Sequence, residues 1–144
     1  MSRTRVETRA RARALQALYA WDMRGEESTG AAALVAVADR IWDDLHVAPD
    51  ERERAVALVQ TVSAERAGID RALRDVTTNW RLERLGAIER CVLRLGAAEL
   101  LRGDTPPRVV IQEGVRLAER YGSEQSARFV NGVLDALARR MGRL

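Results

Sequence analysis

Basic side chains near the start of the chain are the residues best suited to chemistry in this sequence, and that chemistry is the binding of phosphate. All 24 basic residues are arginine. Arginine carries a planar fork of donors that binds phosphate in a bidentate manner and stacks on bases. A cluster of arginines therefore indicates a protein that binds nucleic acid. The absence of lysine does not, because a codon bias would produce it as well. Five of the arginines fall within the first thirteen positions: Arg3, Arg5, Arg9, Arg11 and Arg13.

Helical spacing places part of this cluster on one face. Arg5, Arg9 and Arg13 recur at every fourth position, so they form a stripe along a helix. Tyr19 adds a candidate stacking surface, because proteins recognise single-stranded RNA by stacking its splayed bases on aromatic or guanidinium planes. The alternative for Tyr19 is a half-buried position among neighbouring leucines. The candidate RNA-binding residues on this helix are Arg5, Arg9, Arg11, Arg13, Gln16 and Tyr19.

Groups that could carry out catalysis are scarce. The single cysteine, Cys91, falls on an apolar helix, where we expect a small core residue, and the chain scarcely supplies a base to activate its thiol. The single histidine, His46, falls in a loop as a surface or packing residue. No Cys and His set could hold a structural metal, and no glycine-rich phosphate loop is present. The sequence therefore predicts a binding protein, not an enzyme, with no cofactor.

Length and composition predict one intracellular domain. A domain of 144 residues buries about 70% of its unfolded surface, enough for a core of its own. A lone cysteine excludes an internal disulfide, and no apolar run follows the basic start as in a secretory signal. No stretch approaches the roughly 20 apolar residues of a membrane span. We therefore expect a cytoplasmic protein without a membrane segment. A transit peptide is the weaker alternative, because the basic start runs directly into the first helix.

Apolar residues recur at intervals of three and four throughout, and no segment shows sustained alternation, so the sequence predicts an all-α fold. Gly68 lies inside one long helix without changing its apolar phase. A joint at residues 77–79 divides a single domain, 1–144, into helical subdomains of about 1–78 and about 79–144. The seven predicted helices cover about residues 4–23, 31–45, 50–76, 80–85, 87–102, 108–121 and 123–141.

A stretch near the C-terminus combines unusual residues inside a predicted helix. Asn131 and Gly132 both lower helix propensity, Gly by about 1 kcal/mol relative to Ala. The only phenylalanine, Phe129, stands two positions before Asn131. One interpretation is that another helix packs closely against Gly132 while Asn131 bonds a backbone group. The other is a binding surface with Phe129 at its rim.

Four motifs in order carry a resemblance to a known family. They are RARARALQALYAW (residues 9–21), LGAIERCVLRL (residues 85–95), VVIQE (residues 109–113) and FVNGVLD (residues 129–135). Together they resemble the NusB family of bacterial transcription antitermination factors. The resemblance covers essentially the whole chain and is weakest over residues 25–60.

This resemblance implies an all-α, NusB-like fold of two packed helical bundles without enzymatic activity. Family members pair with NusE, a ribosomal protein of the small subunit, and the pair binds the single-stranded boxA element of ribosomal RNA leaders. The complex modifies RNA polymerase so that it reads through terminators. By the resemblance, Arg9, Arg11 and Tyr19 match RNA-binding residues of the first helix. Phe129 then lies near the RNA surface and Glu89 faces NusE, whereas the roles of the other arginines rest on charge alone.

Other functions stay open at this point. NusB-like domains also occur at the front of ribosomal RNA cytosine methyltransferases, where they help to hold the substrate. The 144 residues contain neither a Rossmann-type segment nor a catalytic cysteine motif, so on this alternative the chain is a detached RNA-holding domain. A purely protein-binding module would bind NusE without any gain in RNA affinity. A homodimer that masks the arginines is a further alternative.

Overall fold

The structure is a computed structural model that describes residues 3–25, 31–77 and 80–144. Across these ranges the chain is helical, and the prediction of an all-α fold is confirmed. The helices are α1 (Arg3–Asp22), α2 (Ala31–Leu45), α3 (Pro49–Val76), α4 (Ala87–Arg102), α5 (Pro107–Tyr121) and α6 (Glu124–Arg140).

The helix predicted over residues 80–85 is shorter than expected. Only Leu82–Arg84 is helical, as a single 3-10 turn that ends when the Leu85 N–H donates to the Leu82 carbonyl. Leu82 is the one buried side chain of this turn. Because a single apolar anchor cannot support an amphipathic face, the segment does not extend into an α-helix before Gly86 begins α4.

The chain forms two compact units, Met1–Ala64 and Glu65–Leu144, and the boundary between them falls inside α3. The division expected near residue 78 stays a prediction. Two residues of the expected joint, Thr78 and Asn79, lie outside the described residues.

In the N-terminal unit, α1 packs against α2. The apolar residues of α1 recur every three or four positions and so share one side of the helix. Trp42 of α2 is 1% exposed, and its Nε1 donates to the Arg13 carbonyl at 3.2 Å. The opposite side of α1 is left to its polar residues. The buried side chains of α1 include Val6, Ala10, Ala14, Leu15, Ala17, Leu18 and Trp21.

In the C-terminal unit, α4 is the central helix, and every residue from 91 to 100 is buried. Helices α5 and α6 pack against each other and against α4. Leu134 of α6 inserts between two glycines: a Cβ added at Gly96 of α4 or at Gly114 of α5 would lie 2.8 Å from one of its methyl groups. Glycine at both positions lets the three helices meet around this leucine.

Candidate RNA-binding residues

Helix α1 divides its predicted binding residues between the surface and the interior. Arg5, Arg9 and Gln16 are exposed, and Tyr19 keeps 39% of its surface accessible. Successive spacings of four, seven and three residues place these four on one side of the helix. We call this set, Arg5, Arg9, Gln16 and Tyr19, the exposed face of α1.

Arg11 lies elsewhere, because it is buried with only 4% of its surface accessible. It stands four residues before Leu15 and seven before Leu18, and both leucines are buried. The helical period therefore puts Arg11 on the core side. Its charge alone placed Arg11 among the surface arginines in the sequence-based prediction. Its spacing from the two leucines, however, already indicated a buried position.

Arg13 is anchored within the N-terminal unit. Its Nε forms an ion pair of 3.0 Å with Oε2 of Glu51, whose side chain is 8% exposed, and its Nη1 donates to the Gln16 side chain at 3.3 Å. A second pair joins the same two helices, since Arg54 of α3 lies 3.2 Å from Glu7 of α1. These bonds hold α1 against the start of α3 and fix the direction of its exposed face.

Other arginines of the chain pair with carboxylates on the helix surfaces. Arg52 Nη1 donates to Asp43 at 2.6 Å, and this bond raises the pKa of the Arg52 guanidinium above its ordinary value. The pKa of the Glu83 carboxyl lies below its ordinary value, because its own backbone amide and then Arg74, at 2.8 Å, donate hydrogen bonds to it. Exposed pairs of this kind add little stability, but they partly neutralise the arginines involved.

Glu89 lies in the first turn of α4 and belongs to the C-terminal unit. Its Oε1 accepts a hydrogen bond of 2.7 Å from the Ser126 hydroxyl, and Ser126 itself donates its backbone N–H to the capping Ser123 hydroxyl of α6 at 3.1 Å. A Cβ added at Gly86, the residue before α4, would overlap the Glu89 carboxylate. The carboxylate is therefore folded back over the start of α4, where a negative charge is favourable.

Phe129 belongs to an aromatic pair that the sequence did not reveal. Its ring lies 6.0 Å from the Trp80 ring, centroid to centroid, at an interplanar angle of 77°, so the two are edge to face. The pair borders a cleft of about 270 Å³. Trp80 follows the joint at residues 77–79, which has no apolar periodicity. A tryptophan that belongs to no apolar helix face was the only sign in the sequence that this position could form part of a binding surface. The cleft is lined by Val76, Thr77, Trp80, Arg128, Phe129, Gly132 and Val133.

Of the two interpretations of Gly132, the close packing of another helix against it is not what the structure has. A Cβ added at Gly132 would meet no described atom within 4 Å, and both Asn131 and Gly132 are exposed. The core side of α6 carries Val130, Val133 and Leu134 instead. Gly132 therefore faces open space beside the Trp80 and Phe129 pair.

Neither Cys91 nor His46 occupies a position suited to catalysis. Cys91 is buried at 0% exposure, and His46 is exposed in a loop where its φ is 52°. Within residues 3–25, 31–77 and 80–144, no group of three or more His, Cys, Asp or Glu side chains could hold a metal ion. Over the same ranges, no helix has the length and apolar character needed to cross a membrane.

Comparison with known proteins identifies the family. The sequence profile of the NusB family matches residues 8–139. The chain belongs to the NusB family. Transcription antitermination protein NusB of Anaeromyxobacter dehalogenans (strain 2CP-1 / ATCC BAA-258) is 46% identical over 138 residues, which cover 94% of this chain and 92% of that protein. The resemblance seen in the four motifs is confirmed.

Solved structures agree with this NusB-family assignment. T. maritima NusB superposes with a TM-score of 0.81 at 32% identity, covering 92% of this chain and 90% of that one. A chain in the crystal structure of antitermination factors NusB and NusE in complex with dsRNA superposes with a TM-score of 0.83 at 32% identity. That match covers 94% of this chain and 98% of the other.

Proposed function

We propose that this NusB-family chain is an RNA-binding transcription antitermination factor of the cytoplasm. With NusE it binds boxA RNA of ribosomal RNA leaders and promotes readthrough by the RNA polymerase antitermination complex. The observation that carries the proposal is the similarity over nearly full length to a transcription antitermination protein, 46% identical over 92% of that relative. The structural match to a chain from the crystal structure of NusB and NusE in complex with dsRNA supports NusE and RNA as partners. The protein acts by binding, and needs no cofactor.

The exposed face of α1, together with Arg13, supplies the contacts with phosphate. Arg5 and Arg9 are exposed, and Arg13 is partly exposed beside its ion pair with Glu51. If each of these three arginines neutralises one phosphate of single-stranded RNA, log Kd should change with log salt concentration with a slope of about 2, at roughly 0.7 per phosphate. Gln16 and Tyr19 then contribute a polar contact and a stacking surface.

Arg11 contributes to RNA binding in a different way. With 4% of its surface accessible, it has too little exposed guanidinium for a bidentate contact with a phosphate. Its role in the proposal is to hold α1 in place from the core side, so that Arg9 and Tyr19 keep their positions.

Glu89 is the proposed contact with NusE. Ser126 occupies one of its oxygens, and an ionised carboxylate can accept further hydrogen bonds. The first turn of α4 and the cap of α6 fix its position. A basic group of a partner protein would therefore meet a carboxylate that is already oriented, with little loss of side-chain entropy.

The test is a titration of boxA-containing and scrambled RNA with this protein, alone and with NusE, at two salt concentrations. We expect weak binding alone, a preference for boxA, and a clear gain in affinity when NusE is added. Equal binding of both RNAs, unchanged by NusE, would contradict the proposal.

The same titration separates the alternatives. A detached RNA-holding domain would bind RNA with no contribution from NusE. A protein-binding module would bind NusE without any gain in RNA affinity. A homodimer that masks the arginines would show RNA affinity that rises on dilution, with the oligomeric state read by sedimentation in parallel.

A further inference from the structure

Trp80 is exposed and yet held in a defined orientation. It keeps 61% of its surface accessible, whereas Trp21 and Trp42 keep 4% and 1%. Its backbone N–H donates to the Thr77 carbonyl at 2.8 Å, and its ring lies edge to face with Phe129. Because an oriented side chain loses little entropy when a ligand arrives, an exposed ring of this kind suits binding.

The cleft beside Trp80 is large enough for one planar ring, and Gly132 in its lining leaves that space open. Its volume of about 270 Å³ is below the roughly 300 to 1,000 Å³ of pockets that enclose drug-sized ligands. Gly132 lies in its lining, inside α6, where glycine costs about 1 kcal/mol relative to alanine. No packing within the described chain requires that glycine, since a Cβ there would meet open space. A larger side chain at this position would occupy the cleft.

The charge at the cleft favours a nucleotide over an apolar side chain of a protein. Arg128 is exposed and lines the cleft, and none of the described lining residues is acidic. Within the described part of the chain, none of the ion pairs involves Arg128. An aromatic surface next to an arginine that is available for phosphate matches the way in which proteins hold single-stranded nucleic acid. An apolar side chain would use the rings but not the charge.

We propose that this cleft, in the C-terminal unit, holds one unstacked base of single-stranded RNA. Trp80 provides the stacking surface, Phe129 supports its ring, and Arg128 binds the phosphate next to that base. The inference rests on the proposed RNA-binding function and adds to it a binding residue, Trp80, and a base pocket. Because every base has a π-face, this contact contributes affinity more than sequence preference.

Tryptophan emission and affinity test the pocket together, with boxA RNA as the ligand. Trp21 and Trp42 are buried, so a change of emission on RNA binding reports Trp80. We expect RNA to quench the wild-type emission. Trp80→Ala should weaken RNA binding by about 5- to 150-fold, the range that base stacking gives in alanine substitutions. Trp80→Phe should retain most of the affinity while it loses the emission change.

Variants at two further positions complete the test. Gly132→Leu should fill the cleft and weaken RNA binding, whereas the small Gly132→Ala should affect it far less. Arg128→Ala should lower the salt dependence, and Arg139→Ala on the same helix is the control outside the cleft. Circular dichroism checks that each variant keeps its helix content.

Each outcome decides the inference. If wild-type protein binds boxA RNA but Trp80→Ala and Gly132→Leu bind it equally well, the base pocket is refuted while the proposed function stands. If these variants lose NusE binding and keep RNA binding, the cleft takes a protein side chain and the inference is again refuted. If the wild-type protein binds no RNA with or without NusE, the proposed function fails as well.

Discussion

The Arg94 guanidinium forms two parallel hydrogen bonds with the Asp70 carboxylate, from Nε to Oδ1 at 2.9 Å and from Nη2 to Oδ2 at 3.1 Å. Both side chains are buried, at 7% and 8% exposure. Arg66 lies 3.8 Å from Oδ2 and adds a second cation to the same carboxylate. The pair joins the last part of α3 to the middle of α4 within the C-terminal unit. Because a buried charge is costly without its partner, any packing of the two helices that separated Arg94 from Asp70 would be unfavourable.

Breaking this pair on one side should destabilise the protein strongly. Asp70→Ala removes the carboxylate that forms two hydrogen bonds with the buried Arg94 charge, so we expect the free energy of unfolding in urea to fall by about 3 to 5 kcal/mol. Replacing both residues, Asp70→Leu with Arg94→Met, should recover much of that loss. Asp135→Ala is the control, because it removes an exposed pair of α6. A loss for Asp70→Ala as small as for Asp135→Ala would contradict the burial of the Arg94 charge against this carboxylate.

The cap of α6 should contribute measurably to stability. The Ser123 hydroxyl accepts a hydrogen bond from the Ser126 N–H at 3.1 Å, and the backbone of Ser123 is extended as an N-cap requires. Ser123→Ala should lower the free energy of unfolding by about 1 kcal/mol. Ser123→Asp should stay near the wild-type value, because aspartate caps helices equally well. Equal losses in both variants would assign the effect to the hydroxyl contact with Ser126 instead.

Two glycines inside helices should respond in opposite directions to the same substitution. Gly114→Ala places a methyl group 2.8 Å from the buried Leu134, so we expect overpacking to cost about 1 to 3 kcal/mol. Gly132→Ala meets open space and gains helix propensity, so it should raise the free energy of unfolding by about 0.5 to 1 kcal/mol. Thermal and urea unfolding of the two variants give the comparison. The same sign for both would contradict the packing of Leu134 described above.

Local signals in the sequence predicted most of the fold, because each depends on residues near one another in the chain. Helix α4 spans Ala87–Arg102, and both bounds were predicted; Gly103, which follows it, has a φ of 73° that suits glycine. The contact of Trp80 with Phe129 was not predicted, since it joins residues far apart in the chain. The two interpretations of Gly132 stayed open for the same reason: helix propensity marks an unusual glycine but does not show whether another helix reaches it.

The candidate site was predicted less completely than the fold. Charge alone cannot tell an exposed arginine from a buried one, and Arg9 and Arg11 differ in that respect although they are two positions apart. The helical period did contain the answer, because Arg11 is in phase with buried leucines. The anchoring of Arg13 by Glu51 depends on how α1 and α3 pack, which no spacing within either helix reveals.

The difference between Arg9 and Arg11 gives the last prediction. Arg9→Ala should weaken binding of boxA RNA and lower the salt slope by about 0.7, because it removes one phosphate contact. It should change the free energy of unfolding by no more than about 0.5 kcal/mol, because Arg9 is exposed on the surface of the helix. Arg11→Ala should instead lower the free energy of unfolding by about 0.5 to 3 kcal/mol, because it removes buried packing of the arginine stem.

Measuring the salt slope of RNA binding and the free energy of unfolding for both Arg9→Ala and Arg11→Ala shows which arginine contacts RNA and which stabilises the position of α1. Arg40→Ala, an exposed arginine of α2, is the matched control for the removal of one charge. It should alter the salt slope less than Arg9→Ala if the exposed face of α1 is where phosphate binds. If Arg11→Ala keeps full stability and loses salt-dependent affinity, its guanidinium must reach the RNA directly. In that case α1 would have to rearrange when RNA binds, because the present structure leaves only 4% of Arg11 accessible.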